Sequence, residues 1–227
     1  MSYLTYLGKL SLRLTPSFYT KPILKDMGTY AFYGVLGGIG TKLAFQLDII
    51  MVGAFIDFSS AGIYTIALFI AGIMTKPIYA IFAIASPIIS KAWKENNLSE
   101  IEQIYQKSSI NLLLVGIAFM GLVWISIDDL FNILPNGEEL SRGKYVVLFL
   151  GLSKIVDMAT SVNGQIIGYS KFFRFNFYAV LILAALNIVS NITLIPLYGM
   201  VGAAMATCLS QFIYNLMKYV YLSLIHI

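Results

Sequence analysis

The chain has 227 residues, 59% of them hydrophobic and 11% charged, with a formal charge of +4 and a mean hydropathy of +0.81. That balance excludes an ordinary soluble domain, and the apolar residues fall in six runs of spanning length, without the alternating ten-residue strands of a membrane β-barrel. One cysteine (Cys208) and one histidine (His226) leave no internal disulfide, no cysteine or multi-histidine metal site and no histidine catalysis; the excess lysines sit in loops and give no signal for nucleic acid.

Residues 1–27 carry Lys9, Arg13, Lys21 and Lys25 with Pro16 and Pro22, and lack the apolar core of a cleavable signal peptide. They read as a cytoplasmic connector. Residues 28–227 read as an all-α, polytopic membrane bundle of six transmembrane helices, with spans near 28–55, 62–90, 109–130, 145–168, 175–196 and 200–223. The first span holds Gly34 and Gly38, a GxxxG pair that predicts close helix approach, and two charges, Lys42 and Asp48. Lys42 falls about 20 Å from the start of that helix, near mid-depth, where a charge costs about 2.5–3.5 kcal/mol against lipid. It should therefore face protein or a watery cavity.

A short external loop is expected over 53–61. The second span carries Lys76 beside Pro77, with Pro87 further on. Each proline frees a carbonyl four residues earlier, at Ile73 and Ala83, either to satisfy the lysine or to mark a helix that bends. Both readings stand open. Over 97–108, Leu98, Ile101, Ile104 and Tyr105 recur at helical spacing and Ser99 with Glu102 fits a capping box, predicting a short helix on the membrane surface. The third span looks like packing, and an acidic external loop follows over 128–144.

The fourth span is the most polar. Lys154, Asp157, Ser161, Gln165 and Gly168 fall on one helical face, and Gly164 with Gly168 makes a second packing pair. The fifth places Asn187 and Asn191 one turn apart, and the sixth aligns Thr207, Gln211, Asn215 and Lys218. Such amides are more often interhelical glue than ligands. With both termini cytoplasmic, one side holds Lys9, Arg13, Lys21, Lys25, Lys91, Lys94, Lys107, Lys171 and Arg174, and the other only Arg142 and Lys144. That asymmetry sets the orientation.

Lys42, Lys76, Asp48, Lys154 and Asp157 are the candidate substrate-binding residues, because buried charge in a membrane bundle needs a polar purpose. The alternative is internal neutralisation, above all between Lys154 and Asp157, which are three residues apart. Three lysines against two aspartates favour an anionic substrate over an organic cation.

The run Asp48, Ile49, Ile50, Met51, Val52, Gly53, then Gly62, Ile63, Tyr64, then Ser86 and Pro87, resembles bacterial polysaccharide flippases. So does the closing run from Ile195 and Pro196 through Tyr198, Gly199, Gly202, Ala203 and Ala204 to Thr207. These flippases belong to the multidrug/oligosaccharidyl-lipid/polysaccharide exporter superfamily. The resemblance implies one lobe, the carboxy-terminal one, of a two-lobe transporter in the bacterial cytoplasmic (inner) membrane. It implies flipping of an undecaprenyl-pyrophosphate-linked oligosaccharide for surface polysaccharide such as the O-antigen of lipopolysaccharide. The partners implied are that lipid-linked oligosaccharide, membrane lipids, a second six-helix lobe and a coupling cation; no cofactor and no enzymatic activity are implied. The alternatives are a drug/cation antiporter of the same superfamily and, less compatible with these short loops, a membrane-embedded polysaccharide polymerase or glycosyltransferase.

Overall fold

The computed structural model describes residues 20–225. Most of the expected connector, including Lys9 and Arg13, lies outside the described residues, as does His226. Helix α1 (Lys21–Phe55) begins within the stretch read as connector, started by Pro22 in its first turn after an extended Thr20. The expected loop over 53–61 contracts to Ile56 and Asp57. The Asp57 carboxylate accepts the Ser60 N–H at 2.6 Å and so caps α2 (Phe58–Ile73). That bond holds the exposed Asp57 carboxyl below the usual carboxylate range.

Helix α3 (Lys76–Lys94) follows α2 across a 47° bend at Met74 and Thr75. Pro77, in the first turn of α3, lacks the N–H that would continue the ladder back to Ile73. The bend reading of that proline is the one the backbone takes. Helix α4 (Leu98–Ile133) is capped by Asn97, whose side chain accepts the Glu100 N–H at 3.2 Å, so the cap lies two positions before the expected Ser99. The separate surface helix expected over 97–108 is instead the first turns of α4. No glycine or proline interrupts residues 98–115, and an unbroken ladder costs less than a break.

Beyond α4, a short α5 (Gly137–Leu140) and a 3₁₀ turn (Ser141–Gly143) lead into α6 (Lys144–Thr160). Lys144 Nζ pairs with Asp128 at 2.6 Å and lies 5.4 Å from the Trp124 ring centre, closing this end. The fourth span does not stay straight. Ser161 has φ 43°, and α7 (Asn163–Tyr169) leaves it at 50° to α6. The single face expected for residues 154–168 is therefore folded at Ser161. Helix α8 (Arg174–Leu224) breaks at Gly199, with φ 59° and ψ −139°, a conformation only glycine adopts freely; Pro196 sits just before it.

By length and composition, α4 and α8 are each apolar enough to cross a membrane, and the bent pairs α2–α3 and α6–α7 each qualify taken together. The result is an all-helical membrane bundle. Helix α1 packs chiefly on α8, α6 lies between α4 and α8, and α3 and α7 close one end. One core fills the end around Tyr64, Ile127, Val146 and Met200. The other joins Ile89, Ile101, Ile166 and Leu222, and the Trp93 indole N–H donates to the Ile166 carbonyl there at 2.9 Å.

Close helix approach comes from glycines that the sequence pattern did not single out. A Cβ at Gly116 of α4 would meet Met158 Sδ at 2.8 Å, and one at Gly151 of α6 would collide with Met120 Sδ. Each helix thus presents a glycine to the other's methionine. Gly34 and Gly38, by contrast, have nothing within 4 Å of a built Cβ, so the expected GxxxG contact is not made among the described residues. They floor an open cleft instead.

Candidate functional site

Three places concentrate polar side chains. The first is a clasp around Asp48, which is only 1% exposed. Its Oδ2 accepts the Tyr64 hydroxyl at 3.1 Å and the Thr207 hydroxyl, and its Oδ1 accepts Asn191 Nδ2 at 2.7 Å. Asn191 also donates to Asn187 Oδ1 at 2.8 Å, and Asn187 donates to Thr207 Oγ1 at 3.2 Å. One carboxylate therefore ties α1 and α2 to both halves of α8. Asn191 Oδ1 is buried there without a hydrogen-bond donor.

The second place is an inner cavity of about 430 Å³ between the α2–α3 bend, the α6–α7 break and the last part of α8. Lys154, Asp157, Ser161, Gln211, Asn215 and Lys218 line it among apolar walls. Asp157 accepts from Gln211 Nε2 and from Asn215 Nδ2 (2.8 Å), while Asn215 Oδ1 accepts from Thr160 Oγ1 (2.9 Å) and Asn163 Nδ2 (3.2 Å). Ser161 Oγ and Gln211 Oε1 are buried beside this network without partners. A non-glycine residue at positive φ, on the wall of a cavity, with an unsatisfied hydroxyl, is the kind of strained position that marks working sites.

The third place is a cleft of about 250 Å³ between α1 and α8, floored by Gly34, Gly37 and Gly38 and walled by Tyr30, Tyr33, Phe173, Phe177 and Tyr214. Lys218 lines this cleft as well as the inner cavity.

Of the five residues read from sequence, the structure brings two together. Lys154 (8% exposed) and the half-buried Asp157 share the inner cavity. Asp48 lines neither cavity and forms the separate clasp. Lys42 and Lys76 are exposed on the surface of the lobe, Lys42 on α1 and Lys76 at the α2–α3 bend. Lys218 was legible only as the last member of a polar stripe; its burial came from packing that a linear pattern does not carry. Asn187 and Asn191 act as the glue expected of them, with Asp48 as the group they hold.

No protein-family model matches the chain. Two curated relatives come from Haloferax volcanii. One, named a probable low-salt glycan biosynthesis flippase, is 29% identical over 96% of this chain and 45% of its own length. The other, named a probable flippase, is 26% identical over 90% of this chain and 43% of its own. The chain thus spans less than half the length of these relatives. Among solved structures, an outward-facing multidrug resistance MATE family transporter of the MOP superfamily superposes with a TM-score of 0.79 at 12% identity, over 97% of this chain and 51% of that one. A MOP superfamily transporter from Pyrococcus furiosus, described as having a binding pocket of reversed polarity, gives 0.57 at 21% identity, over 84% of this chain and 43% of that one. The fold is that of half a MATE-type transporter. A multi-pass membrane protein related in sequence to flippases is the coarse reading these likenesses support.

Proposed function

We propose that the chain is the carboxy-terminal six-span lobe, residues 28–227 after a connector, of a flippase for a lipid-linked oligosaccharide. Its substrate in a bacterial inner membrane would be an undecaprenyl-pyrophosphate glycan, carried by rocking of this lobe against a second one. The observation that carries the reading is the exposure of Lys42 on α1 and of Lys76 at the α2–α3 bend, both within stretches that the sequence reads as spans. Facing lipid, each would cost about 2.5–3.5 kcal/mol, whereas facing a water-filled cavity between lobes each supplies a cation for pyrophosphate and acidic sugars. Lys154 adds positive charge from the inner cavity, and Asp157, fixed by Gln211 and Asn215, shapes that wall. The Asp48 clasp, with the unpaired Asn191 Oδ1, has the oxygen-rich chemistry that holds a proton or a monovalent coupling cation.

A drug/cation antiporter remains the second reading, favoured by the backbone likeness to a multidrug transporter and by the carboxylates of Asp48 and Asp157. The sign of charge separates the two. In the full-length protein, expressed in cells lacking their own flippase, Lys42→Arg and Lys76→Arg should keep most surface polysaccharide. Lys42→Gln and Lys76→Gln should lose most of it at unchanged protein level. Wild-type export by both Gln variants would reject the anionic cavity, and drug efflux without any glycan export would select the antiporter.

A further inference from the structure

Lys218 and its neighbour Tyr214 line both cavities, and Lys218 is the one charged side chain that does so. It is 6% exposed, and its Nζ lies 4.0 Å from the centre of the Tyr214 ring. Among the described residues its ammonium has no hydrogen bond and no ion pair; what it faces is the Tyr214 ring. Gly164 makes the room for it, since a Cβ there would come within 3.4 Å of Nζ. A π face offsets only part of the desolvation of an ammonium, so a buried lysine so placed calls for an anion.

Lys218 forms part of the wall of the outer cleft, and the shape of that cleft is specific. The floor is bare helix at Gly34 and Gly38, where no side chain stands within 4 Å. The walls are aromatic: Tyr33 meets Phe173 and Phe177 edge-on at 6.0 and 5.4 Å, and the Tyr30 hydroxyl donates to the Gly168 carbonyl at 3.2 Å. At the rim the Arg174 guanidinium lies 5.5 Å from the Tyr33 ring. This is the end of the bundle that carries Lys171 and Arg174, where basic and aromatic residues mark the edge of a bilayer.

We infer that the α1–α8 cleft is a binding site for the phosphate head of a membrane lipid, with Lys218 as the inner anchor, Arg174 as the rim cation and the aromatic walls covering the first part of the tail. Lys218 also reaches the wall of the inner cavity, but the aromatic cleft itself is separate from the cavity assigned to the transported substrate. A transporter of any solute built on this lobe would hold it, and failure of the glycan reading leaves it untouched.

The test uses the purified full-length protein in detergent, titrated by calorimetry with dihexanoyl phosphatidic acid, with dihexanoyl glycerol and with inorganic phosphate. The phosphatidic acid should bind and the uncharged diacylglycerol should not. Lys218→Gln should weaken binding by about tenfold or more, as loss of a charged hydrogen-bond donor does, and Lys218→Arg should restore part of it. Gly38→Leu, which fills the cleft without touching Lys218, should block the lipid while leaving thermal stability near wild type. Equal affinity in wild type and Lys218→Gln, with both variants folded by their melting curves, would overturn the site. Inorganic phosphate binding as tightly as the lipid, and surviving Gly38→Leu, would overturn the lipid as its occupant.

Discussion

Asp48 shows at single-residue scale how a buried charge is retained in a membrane bundle. Its carboxylate accepts from Tyr64, Asn191 and Thr207, so removing it strands three donors at once. A buried donor without a partner costs about 1–3 kcal/mol, which makes Asp48→Ala one of the most destabilising changes available in the lobe. Asp48→Asn keeps one accepting oxygen of the same size and should lose distinctly less. Melting curves in detergent decide it: similar midpoints for wild type and Asp48→Ala would show that the carboxylate is not a clasp, whereas a stable Asp48→Asn with abolished transport would point to the coupling role. The sequence made this residue legible through the cost of an acid inside a span. Six residues apart, Lys42 and Asp48 sit about 120° apart around their helix, and the structure exposes the first and buries the second. Which donors converge on Asp48 was not legible, because Tyr64, Asn191 and Thr207 lie 16, 143 and 159 residues away along the chain.

At the scale of elements, apolar run length located the helices well, and the breaks less well. Pro77 offered the α2–α3 bend as one of two open readings, because a missing N–H is written in the residue type. Ser161 announced nothing, since any residue can be forced to positive φ by the packing around it, and the polar stripe through it suggested a continuous face. The α4–α6 seam was illegible for another reason. Gly116 and Gly151 matter only because Met158 and Met120 of the facing helix fill the space above them, and a pairing between helices has no spacing rule within one. Gly34 and Gly38 obey such a rule, and yet among the described residues nothing stands within 4 Å of a Cβ built on either. The seam predicts that Gly151→Val, which must displace Met120, costs about 1–3 kcal/mol as core overpacking does, and that Met120→Ala in the same chain recovers part of it. A Gly151→Val protein melting like wild type would mean that α4 and α6 are free to separate. Gly38→Val should be close to neutral in the same assay, reversing the order that motif reading alone assigns.

For the whole molecule, the arrangement to be explained is a half-length transporter fold with cations gathered at one end. Lys91, Lys94, Lys171 and Arg174 lie at the end closed by α3, α7 and the termini of α8, while Arg142 and Lys144 lie at the other, where Lys144 is already paired with Asp128. Positive charge is retained on the cytoplasmic side during insertion, so this asymmetry predicts that the Lys171 end faces the cytoplasm. The same orientation puts the phosphate cleft at the cytoplasmic leaflet and the Gly199 break near the outer surface. Cysteine accessibility tests this directly in a Cys208→Ser background. Glu138 and Tyr198 are exposed positions at one end, Ser99 and Lys171 at the other, and none of them has the positive φ that makes Gly199 itself a poor site for a cysteine. In intact cells a membrane-impermeant maleimide should label cysteines at Glu138 and Tyr198 and leave those at Ser99 and Lys171 unmodified until the membrane is permeabilised. Labelling of the Ser99 and Lys171 positions from outside would invert the lobe. It would place the Lys218 cleft in the outer leaflet.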